Sequence, residues 1–398
     1  MASDIISSQA TESGRRSGAA RELFGELGFY TLPGNALDSR PILDDPIVAE
    51  ELGLGSIWIG ERFGRKDAGV IAGAAAALSQ RLGIATAVLG QLGLRHPLAI
   101  AGFASTMMEV SQGRFALGLG RGVDRVADAT GTPRITFAYL EHLIDVLRRL
   151  WRGERVDHQS AIGTMHGATL GMTLEPPPPV IMGAMGDKTC RWAGRHCDGV
   201  VLNSLWSTEA VAHSTRLIRE GAEEAGRDPK SVRVWTILIT ACEVPETTML
   251  ETIVRRMNTY MYLPFFTKEL CRVNGWDPAK VAQITAELQA VDASNSAAVG
   301  TLGDEHTSRD LDVLRRMREI YPDDWIHQAN AVGDRHHCAK AVRDRLEAGA
   351  DGILFHGSTP QDLAPLLKCW PEYRPVNASA QLPNPGLAAA ASAFTPRS

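Results

Sequence analysis

Residues 81–122 read RLGIATAVLGQLGLRHPLAIAGFASTMMEVSQGRFALGLGRG, and this stretch decides the fold. Its first part, residues 82–89, is apolar and partly β-branched, which is typical of a strand buried on both faces of a parallel sheet. Pro97 stands where the first turn of a helix accepts a proline, and residues 111–113 end that helix. Residues 114–119 form the next strand. The stretch therefore predicts a strand, a helix and a second parallel strand.

Glycine-rich turns follow two of the predicted strands. Gly120 and Gly122 flank the first turn, and Gly183 and Gly186 lie in the second. Glycine lets backbone N–H groups approach a flat or anionic ligand closely. The second turn opens a helix, whose positive dipole end and Lys188 suit a phosphate. An ordinary strand-to-helix turn, with Asp187 as the helix cap, is the alternative interpretation.

The rest of the chain repeats this unit and predicts an α/β fold, a (β/α)8 TIM barrel, over residues 21–376. Besides the two strands above, a fifth strand begins near residue 179, and the remaining strands are expected at 26–32, 56–60, 199–203, 231–243 and 352–355. Residues 245–330 form an insertion between strand seven and its helix. This insertion is either a lid or substrate wall over the barrel mouth, or a structural or dimer-forming appendage. Residues 1–20 and 377–398 are expected to be disordered tails.

Composition narrows the class of ligand. The 398 residues carry a net charge of −5 with dispersed lysines and arginines, so no footprint for nucleic acid is visible. No stretch has the length of a membrane span, and the first twenty residues lack a signal-peptide core. Six cysteines are scattered without metal-ligand spacing, which favours reduced thiols and no metal. We expect a cytoplasmic protein that binds a small molecule.

Two blocks carry a resemblance to a known family. The turn RHP, its helix and GRFALGLGRG, followed by PVIMGAMGDKTCRWAGRHCDGVVLN at residues 179–203, resemble the bacterial luciferase-like monooxygenase superfamily. Its members bind FMN or the deazaflavin coenzyme F420. In the F420 branch a non-prolyl cis peptide backs the cofactor ring, and Ala87 and Val88 match that position. The resemblance also implies a homodimer formed through helices early in the chain. It implies a cofactor site lined by Ala87, Val88, Gly120, Arg121, Gly122, Gly183, Ala184, Met185, Gly186, Asp187, Lys188 and Asn203.

The sequence does not identify the residue that transfers the proton. The resemblance implies a His and a Trp after strand two and a Glu after the strand-four glycines in sugar-phosphate dehydrogenases, and this chain has Arg62, Lys66 and Val123 there. That departure argues against sugar-phosphate oxidation. Glu61 is the first candidate, because a carboxyl beside an apolar ring can have its pKa raised. Arg62 is a candidate to hold an anion, and His356 is the reserve. A loop ion pair of Glu61 with Arg62 and a rim role for His356 are the alternatives.

These observations predict an oxidoreductase that uses coenzyme F420 for hydride transfer with a fairly apolar small molecule. The expected reaction is reduction of an activated C=C or C=O bond, or oxidation of an alcohol. Two alternatives stay open: an FMN-dependent monooxygenase of the same family, and a flavin-binding relative without catalytic activity.

Overall fold

Eight parallel strands form the centre of the computed structural model, which describes residues 22–32, 38–62, 66–90, 92–122, 124–292, 308–376, 378, 384–388 and 395–397. The barrel strands are β1 (Phe24–Thr31), β2 (Leu54–Ile59), β3 (Gly83–Thr86), β4 (Phe115–Leu119), β5 (Val180–Ala184), β6 (Gly199–Leu202), β7 (Arg233–Cys242) and β8 (Gly352–His356). Each strand pairs with its neighbour in chain order, and β8 pairs with β1, which closes the ring. The predicted TIM barrel is confirmed.

Helices surround the ring, and the sequence predicts most of their starts. The main helices span Asp45–Leu52, Ala68–Leu78, Pro97–Val110, Phe137–Trp151, Asp187–His196, Thr208–Glu224, Arg335–Glu347 and Pro360–Tyr373. Asp67 caps the second of these helices by accepting hydrogen bonds from the N–H groups of Gly69 and Val70. The fourth helix begins at Phe137, and the Thr136 side chain caps it by accepting a hydrogen bond from the Tyr139 N–H.

Smaller elements fill the connections. Short helical turns span Arg40–Leu43, Leu92–Leu94 and Pro229–Ser231, and a helix at Asp124–Thr130 was not predicted. A hairpin pairs Val156–Ser160 with Gly163–Ala168 in antiparallel fashion. Strand β3 is shorter than predicted because the chain leaves the sheet after Thr86 and returns at Leu89, which bridges to Leu119. Among the described helices, none combines the length and apolar character that a membrane crossing requires.

The interior of the barrel is filled by large and small apolar side chains. Trp58 and Trp235 meet edge to face with ring centroids 4.8 Å apart, and neither is exposed. Their neighbours in this inner layer are Tyr30, Ala85, Ala87, Ala116, Ile181, Val201 and Leu354. The interior is therefore a packed core, and the space for chemistry lies at the strand ends.

An additional set of helices lies between β7 and the helix Arg335–Glu347, in the region that we call the insertion. Its helical segments are Glu246–Met249, a π-helical turn at Leu250–Val254, Arg255–Met261, Pro264–Asn274, Pro278–Val291, Leu311–Ile320 and Asp323–Ala329. A short strand, Ala331–Gly333, then adds to the carboxyl end of β7 in parallel.

The prediction of a disordered C-terminal tail is wrong for residues 384–388, which cover the amino end of the barrel. The Asn384 amide donates to the carbonyls of Phe115 at 2.5 Å and Gly113 at 3.1 Å, and the Trp235 indole donates to the Pro385 carbonyl at 2.8 Å. Residues 395–397 also form a strand, paired with Thr173–Glu175. Tertiary hydrogen bonds hold this segment, although its composition is that of a tail. The predicted N-terminal tail at 1–20 lies outside the described residues.

Replacing Asn384 by alanine tests whether residues 384–388 stabilise the barrel. The substitution leaves the buried Phe115 carbonyl and the partly buried Gly113 carbonyl without this donor, so we expect the free energy of unfolding to fall by about 1–3 kcal/mol. Denaturant unfolding measures the change. Gln361→Ala, at an exposed helical position, is the matched control and should change stability by less than about 0.5 kcal/mol. Equal stability of the two variants would contradict the assignment.

Candidate active site

The two glycine turns lie side by side at the carboxyl end of the barrel. They follow β4 and β5, which are neighbours with Leu119 opposite Met182. A Cβ atom placed on Gly120 would lie 2.4 Å from Cγ2 of Val88, and one on Gly183 would lie 3.1 Å from its Cγ1. The Val88 side chain thus fills the space that both glycines leave open. The two turns and the end of β3 form one surface.

The bulge after β3 carries the peptide that the resemblance singled out. The Ala87–Val88 bond is cis, as predicted. The Tyr30 hydroxyl donates to the Ala87 carbonyl at 2.9 Å, and the Glu61 N–H donates to the Val88 carbonyl at 3.3 Å. Leu89 then bonds to β4 through its N–H and the Gly118 carbonyl, 2.9 Å away. Neighbouring strands therefore hold the bulge on both sides.

The first glycine turn contributes backbone atoms to the site, whereas the Arg121 side chain points away from it. Gly122 has φ +68°, and a Cβ there would lie 2.5 Å from the Gly90 carbonyl oxygen, so only glycine fits without strain. The Arg121 side chain donates to the Ile135 carbonyl at 3.0 Å and lies over the Phe137 ring. Its guanidinium is thus engaged with the start of a helix on the rim.

The second turn starts the helix Asp187–His196 on Gly186, which has φ +78°. Asp187 is therefore the first helical residue and not the cap that the alternative interpretation assumed. Its carboxylate pairs with Nε2 of His213 at 3.0 Å and with Arg272 of the insertion at 2.9 Å. Lys188 is exposed.

Three other predicted residues of the cofactor site lie beside this turn. Ala184 is buried as the last residue of β5. The Asn203 amide lies 3.6 Å from the Met185 sulfur, and its oxygen accepts from the Ser204 N–H at 2.8 Å. Contacts of Asn203 thus join the end of β6 to the second glycine turn.

Glu61 lies in a setting different from the one that the sequence suggested. Its carboxylate is 2.5 Å from the Arg95 guanidinium, and its side chain is only 6% exposed. The ion-pair partner is Arg95 of the RHP turn and not Arg62. Arg62 instead donates to the Glu61 backbone carbonyl at 3.2 Å and pairs through its backbone with Lys66. The second carboxylate oxygen, Oε2, is buried and lacks a hydrogen-bond partner among the described residues.

His356 ends β8 and is 3% exposed. Its ring lies 4.8 Å from the Tyr30 ring, and its Nδ1 has no hydrogen-bond partner in the part of the chain that the structure describes. Burial lowers the pKa of His356 well below its ordinary value of 6.5, and the nearby charges of Arg256, Lys66 and Arg62 lower it further. His356 is therefore a neutral imidazole near neutral pH, so it is not poised as a proton donor.

The insertion lies over the mouth. Tyr260 is 3.0 Å from Ser204 between their hydroxyls, which joins the insertion to the end of β6. Arg272 reaches the β5 turn as described above. A Cβ on Gly357 would lie 2.5 Å from Cγ2 of Thr252, so the π-helical turn packs on the loop after β8. Of the two interpretations that the sequence left open, these contacts favour a wall over the site.

Sequence reasoning missed three residues of this region, Tyr30, Arg95 and Arg256. Tyr30 is an inward position of β1, and the alternation of that strand hides it among core residues. Arg95 stands in the RHP turn, and its charge beside the predicted bulge was the available signal. Nothing in the sequence around Arg256 indicates that its helix faces the mouth. Among the described residues, no three His, Cys, Asp or Glu side chains group as a metal-ligand set.

Comparison with known proteins identifies the family. A family model described as luciferase-like monooxygenase matches residues 47–352, which is most of the chain. The chain therefore belongs to the luciferase-like monooxygenase family.

The individual relatives have low sequence identity to this chain. The chain is 26% identical over 293 residues to the F420-dependent glucose-6-phosphate dehydrogenase of Microbacterium testaceum, a match that covers 70% of this chain and 85% of that protein. Among solved structures, the coenzyme F420-dependent tetrahydromethanopterin reductase of Methanopyrus kandleri aligns with a TM-score of 0.69 at 19% identity, covering 87% of this chain and 97% of that one. A monooxygenase from Streptomyces bottropensis aligns with a TM-score of 0.59 at 20% identity, covering 88% and 98%. The two structural likenesses show a shared fold.

The contact of Val88 with Gly120 predicts a coupling between the two positions. We expect Gly120→Ala to lower the free energy of unfolding by about 1–3 kcal/mol, because the new methyl group overlaps the valine. In a Val88→Ala background the same substitution should cost less, since the obstructing carbons are gone. Denaturant unfolding of the four proteins gives the coupling energy. Gly90→Ala is the control, as a Cβ there meets no described atom within 4 Å.

Burial of neutral His356 predicts how stability changes with pH. Its pKa is depressed in the folded chain, so the unfolded chain binds the proton first as pH falls through 6.5. We expect this group to reduce the free energy of unfolding by up to about 1.4 kcal/mol per pH unit below that value. His356→Gln should remove this component, whereas exposed His166→Gln should not. Parallel stability profiles for wild type and His356→Gln would refute the prediction.

Proposed function

We propose that this protein is an oxidoreductase that uses coenzyme F420 for hydride transfer. The observation that carries the proposal is the surface formed by the cis bulge Ala87–Val88 with Gly120 and Gly183. Val88 is apolar and the two glycines add no side chains, so a flat ring can approach the backbone at this place. The F420-dependent relative and the F420-dependent structural neighbour support the choice of deazaflavin.

The residues present fit such a cofactor. Ala87 and Val88 would back the ring, and the Gly120 and Gly122 backbone would lie along its side. The start of the helix Asp187–His196 and the charge of Lys188 would hold the phosphate. When bound, the deazaflavin accepts or donates the hydride, so the chain has to orient the substrate and move one proton.

The proton path is assigned to the end of β2 and the neighbouring β1. Glu61 has one buried oxygen beyond its contact with Arg95 that lacks a partner among the described residues, and this carboxylate is the group that we propose to take up or release the proton. The Tyr30 hydroxyl holds the Ala87 carbonyl and so keeps the bulge in place. Arg95 orients the Glu61 carboxylate.

We propose that the substrate is a small molecule with a carbonyl, an activated double bond or an alcohol, and that it binds between the strand ends and the insertion. Aromatic side chains of the insertion form part of the wall. Tyr260 and Phe266 have ring centroids 4.9 Å apart, and Tyr260 reaches the end of β6 through Ser204. This wall supplies apolar contact for the body of the substrate.

We also propose that the protein is a homodimer. Exposed large apolar side chains are concentrated on the early helices and the loops next to them, where the resemblance implies the interface. They are Leu43, Ile47, Val70, Leu94 and Val110, with exposed fractions between 43% and 70%. These side chains are available for apolar contact with a second copy.

Fluorescence titration of purified protein with F420 and with FMN tests the function. We expect tight binding of F420, followed by turnover with at least one member of a panel of ketones, enones and alcohols. A long-lived peroxide species with reduced FMN, without F420 binding, would establish the monooxygenase alternative instead. F420 binding without turnover of any panel member would favour a binding protein.

Lys188→Gln tests the phosphate position. Loss of one charge in the first helical turn should weaken F420 binding about two- to fivefold, because the lysine and the helix dipole act on the same anion. Lys230→Gln removes the same charge from an exposed position at the opposite end of the barrel and should leave the dissociation constant unchanged. Equal dissociation constants for the two variants would place the phosphate elsewhere.

A further inference from the structure

Residues 384–388, which we call the cover, reach into the amino end of the barrel. A Cβ atom placed on Gly386 would lie 2.6 Å from Cβ of Pro179 and 2.9 Å from Cβ of Ala116. Ala116 belongs to the inner layer of the barrel, and Asn384 has no exposed surface. The backbone of the cover is therefore in direct contact with the inner layer near the start of β4.

A second contact joins the cover to Trp235. The indole N–H of Trp235 donates to the Pro385 carbonyl at 2.8 Å. The guanidinium of buried Arg233 lies 4.7 Å from the centroid of the Trp235 ring and donates to the Leu387 carbonyl at 3.2 Å. A Cβ on Gly352 of β8 would lie 2.5 Å from the same ring. The cover, Arg233 and β8 together fix the orientation of the indole.

Both contacts reach one row of inward side chains that crosses four neighbouring strands. The row consists of the register partners Tyr30, Trp58, Ala85 and Ala116 in β1 to β4. The cover meets this row at Ala116, and Trp235 meets it at Trp58, where the ring centroids are 4.8 Å apart. All of these side chains are buried. Because close-packed interiors leave few voids, a shift of the cover has to be taken up by the row.

The row leads to the bulge that carries the surface proposed for the ring. The Tyr30 hydroxyl donates to the Ala87 carbonyl at 2.9 Å, and the Ala87 N–H donates to the Ile59 carbonyl of β2 at 2.7 Å. Ala87 belongs to the same inner layer, and Val88 packs against that layer. Both hydrogen bonds come from strands whose inward residues form the row, so the row sets the position of the bulge.

From these contacts we infer that the cover is a positioning element for the cofactor surface and that it acts through Trp235 and Ala116. The inference rests on the proposed function and adds a determinant of cofactor affinity at the opposite end of the barrel. A flat ring packed on Val88 is sensitive to small shifts of that side chain, because van der Waals attraction falls steeply once a gap opens between the atoms.

Gly386→Ala in the full-length protein tests the inference. The added methyl group overlaps Ala116 and Pro179, so the cover has to move away from the row. We expect the dissociation constant for F420, measured by fluorescence, to rise about fivefold or more under conditions in which the variant is folded. Val342→Ala is the matched control, because it also removes buried packing but lies on the outer helix Arg335–Glu347. It should lower the thermal midpoint and leave the dissociation constant unchanged.

Hydrogen exchange supplies a readout that needs no cofactor. The N–H groups of Ala87 and Leu89 bond to β2 and β4. In Gly386→Ala their exchange should accelerate more, relative to wild type, than that of the helix Phe137–Trp151, because the bulge loosens locally. In Val342→Ala any acceleration should be no larger at the bulge than in that helix.

Two results would overturn the inference. An unchanged cofactor dissociation constant in folded Gly386→Ala would show that the cover only stabilises the barrel. Equal acceleration of exchange at the bulge and in the helix would show the same. Should Gly386→Ala not fold, Trp235→Phe replaces it, because it removes the N–H donated to Pro385 and keeps an apolar ring.

Failure of the inference and failure of the proposed function give different results. If wild-type protein binds FMN in place of F420, the choice of cofactor is wrong and the same variants are compared with FMN. If it binds neither molecule, the proposed function fails, and hydrogen exchange still shows whether the cover holds the bulge.

Discussion

The structure of the mouth depends on one steric fit, the seating of Val88 between Gly120 and Gly183. Because a Cβ on Gly120 would lie 2.4 Å from the valine, the position accepts hydrogen only. Close-packed interiors relax little around such an overlap. The fit ties the bulge after β3 to the turns after β4 and β5. Three consecutive strand ends therefore meet at one side chain, and backbone hydrogen bonds between Leu89 and β4 hold the same arrangement.

Much of the barrel could be predicted from the sequence, because its signals are local. The run at 82–89, the proline at 97 and the glycines at 120 and 183 each restrict the backbone at their own position, and the repeat of strand and helix supplies the closure. The cover formed by residues 384–388 could not be predicted. It depends on hydrogen bonds between Asn384 and Phe115 and between Trp235 and Pro385, which join distant parts of the chain. Composition alone gives that segment the character of a tail.

In the candidate site, too, some features could be predicted from the sequence and others could not. The glycine positions and the cis bulge were predicted because backbone geometry constrains the residue types there. The partner of Glu61 was not, because Arg62 and Arg95 are both within reach of a loop carboxylate and only the fold selects Arg95. Arg256 is a still harder case. Its place over His356 depends on how the insertion packs, and no periodicity in residues 245–330 encodes that orientation.

The insertion contacts both sides of the barrel mouth, and these contacts position it relative to the strand ends. Arg272 meets Asp187 at the phosphate turn, but both side chains are more than a third exposed, so this pair contributes about 1 kcal/mol or less. The helix Pro264–Asn274 is held more firmly by its last residue. The buried Asn274 side chain accepts from the Ser207 N–H at 2.9 Å and donates to the Leu205 carbonyl at 2.7 Å, in the loop after β6. At the other side, the turn Leu250–Val254 packs tightly on the loop after β8, and Arg256 follows directly. The insertion is therefore anchored to the barrel mouth on both sides, at the loop after β6 through Asn274 and at the loop after β8 through Thr252. Two separate anchors fix its position over the strand ends, so the wall and the glycine turns keep a defined relative geometry.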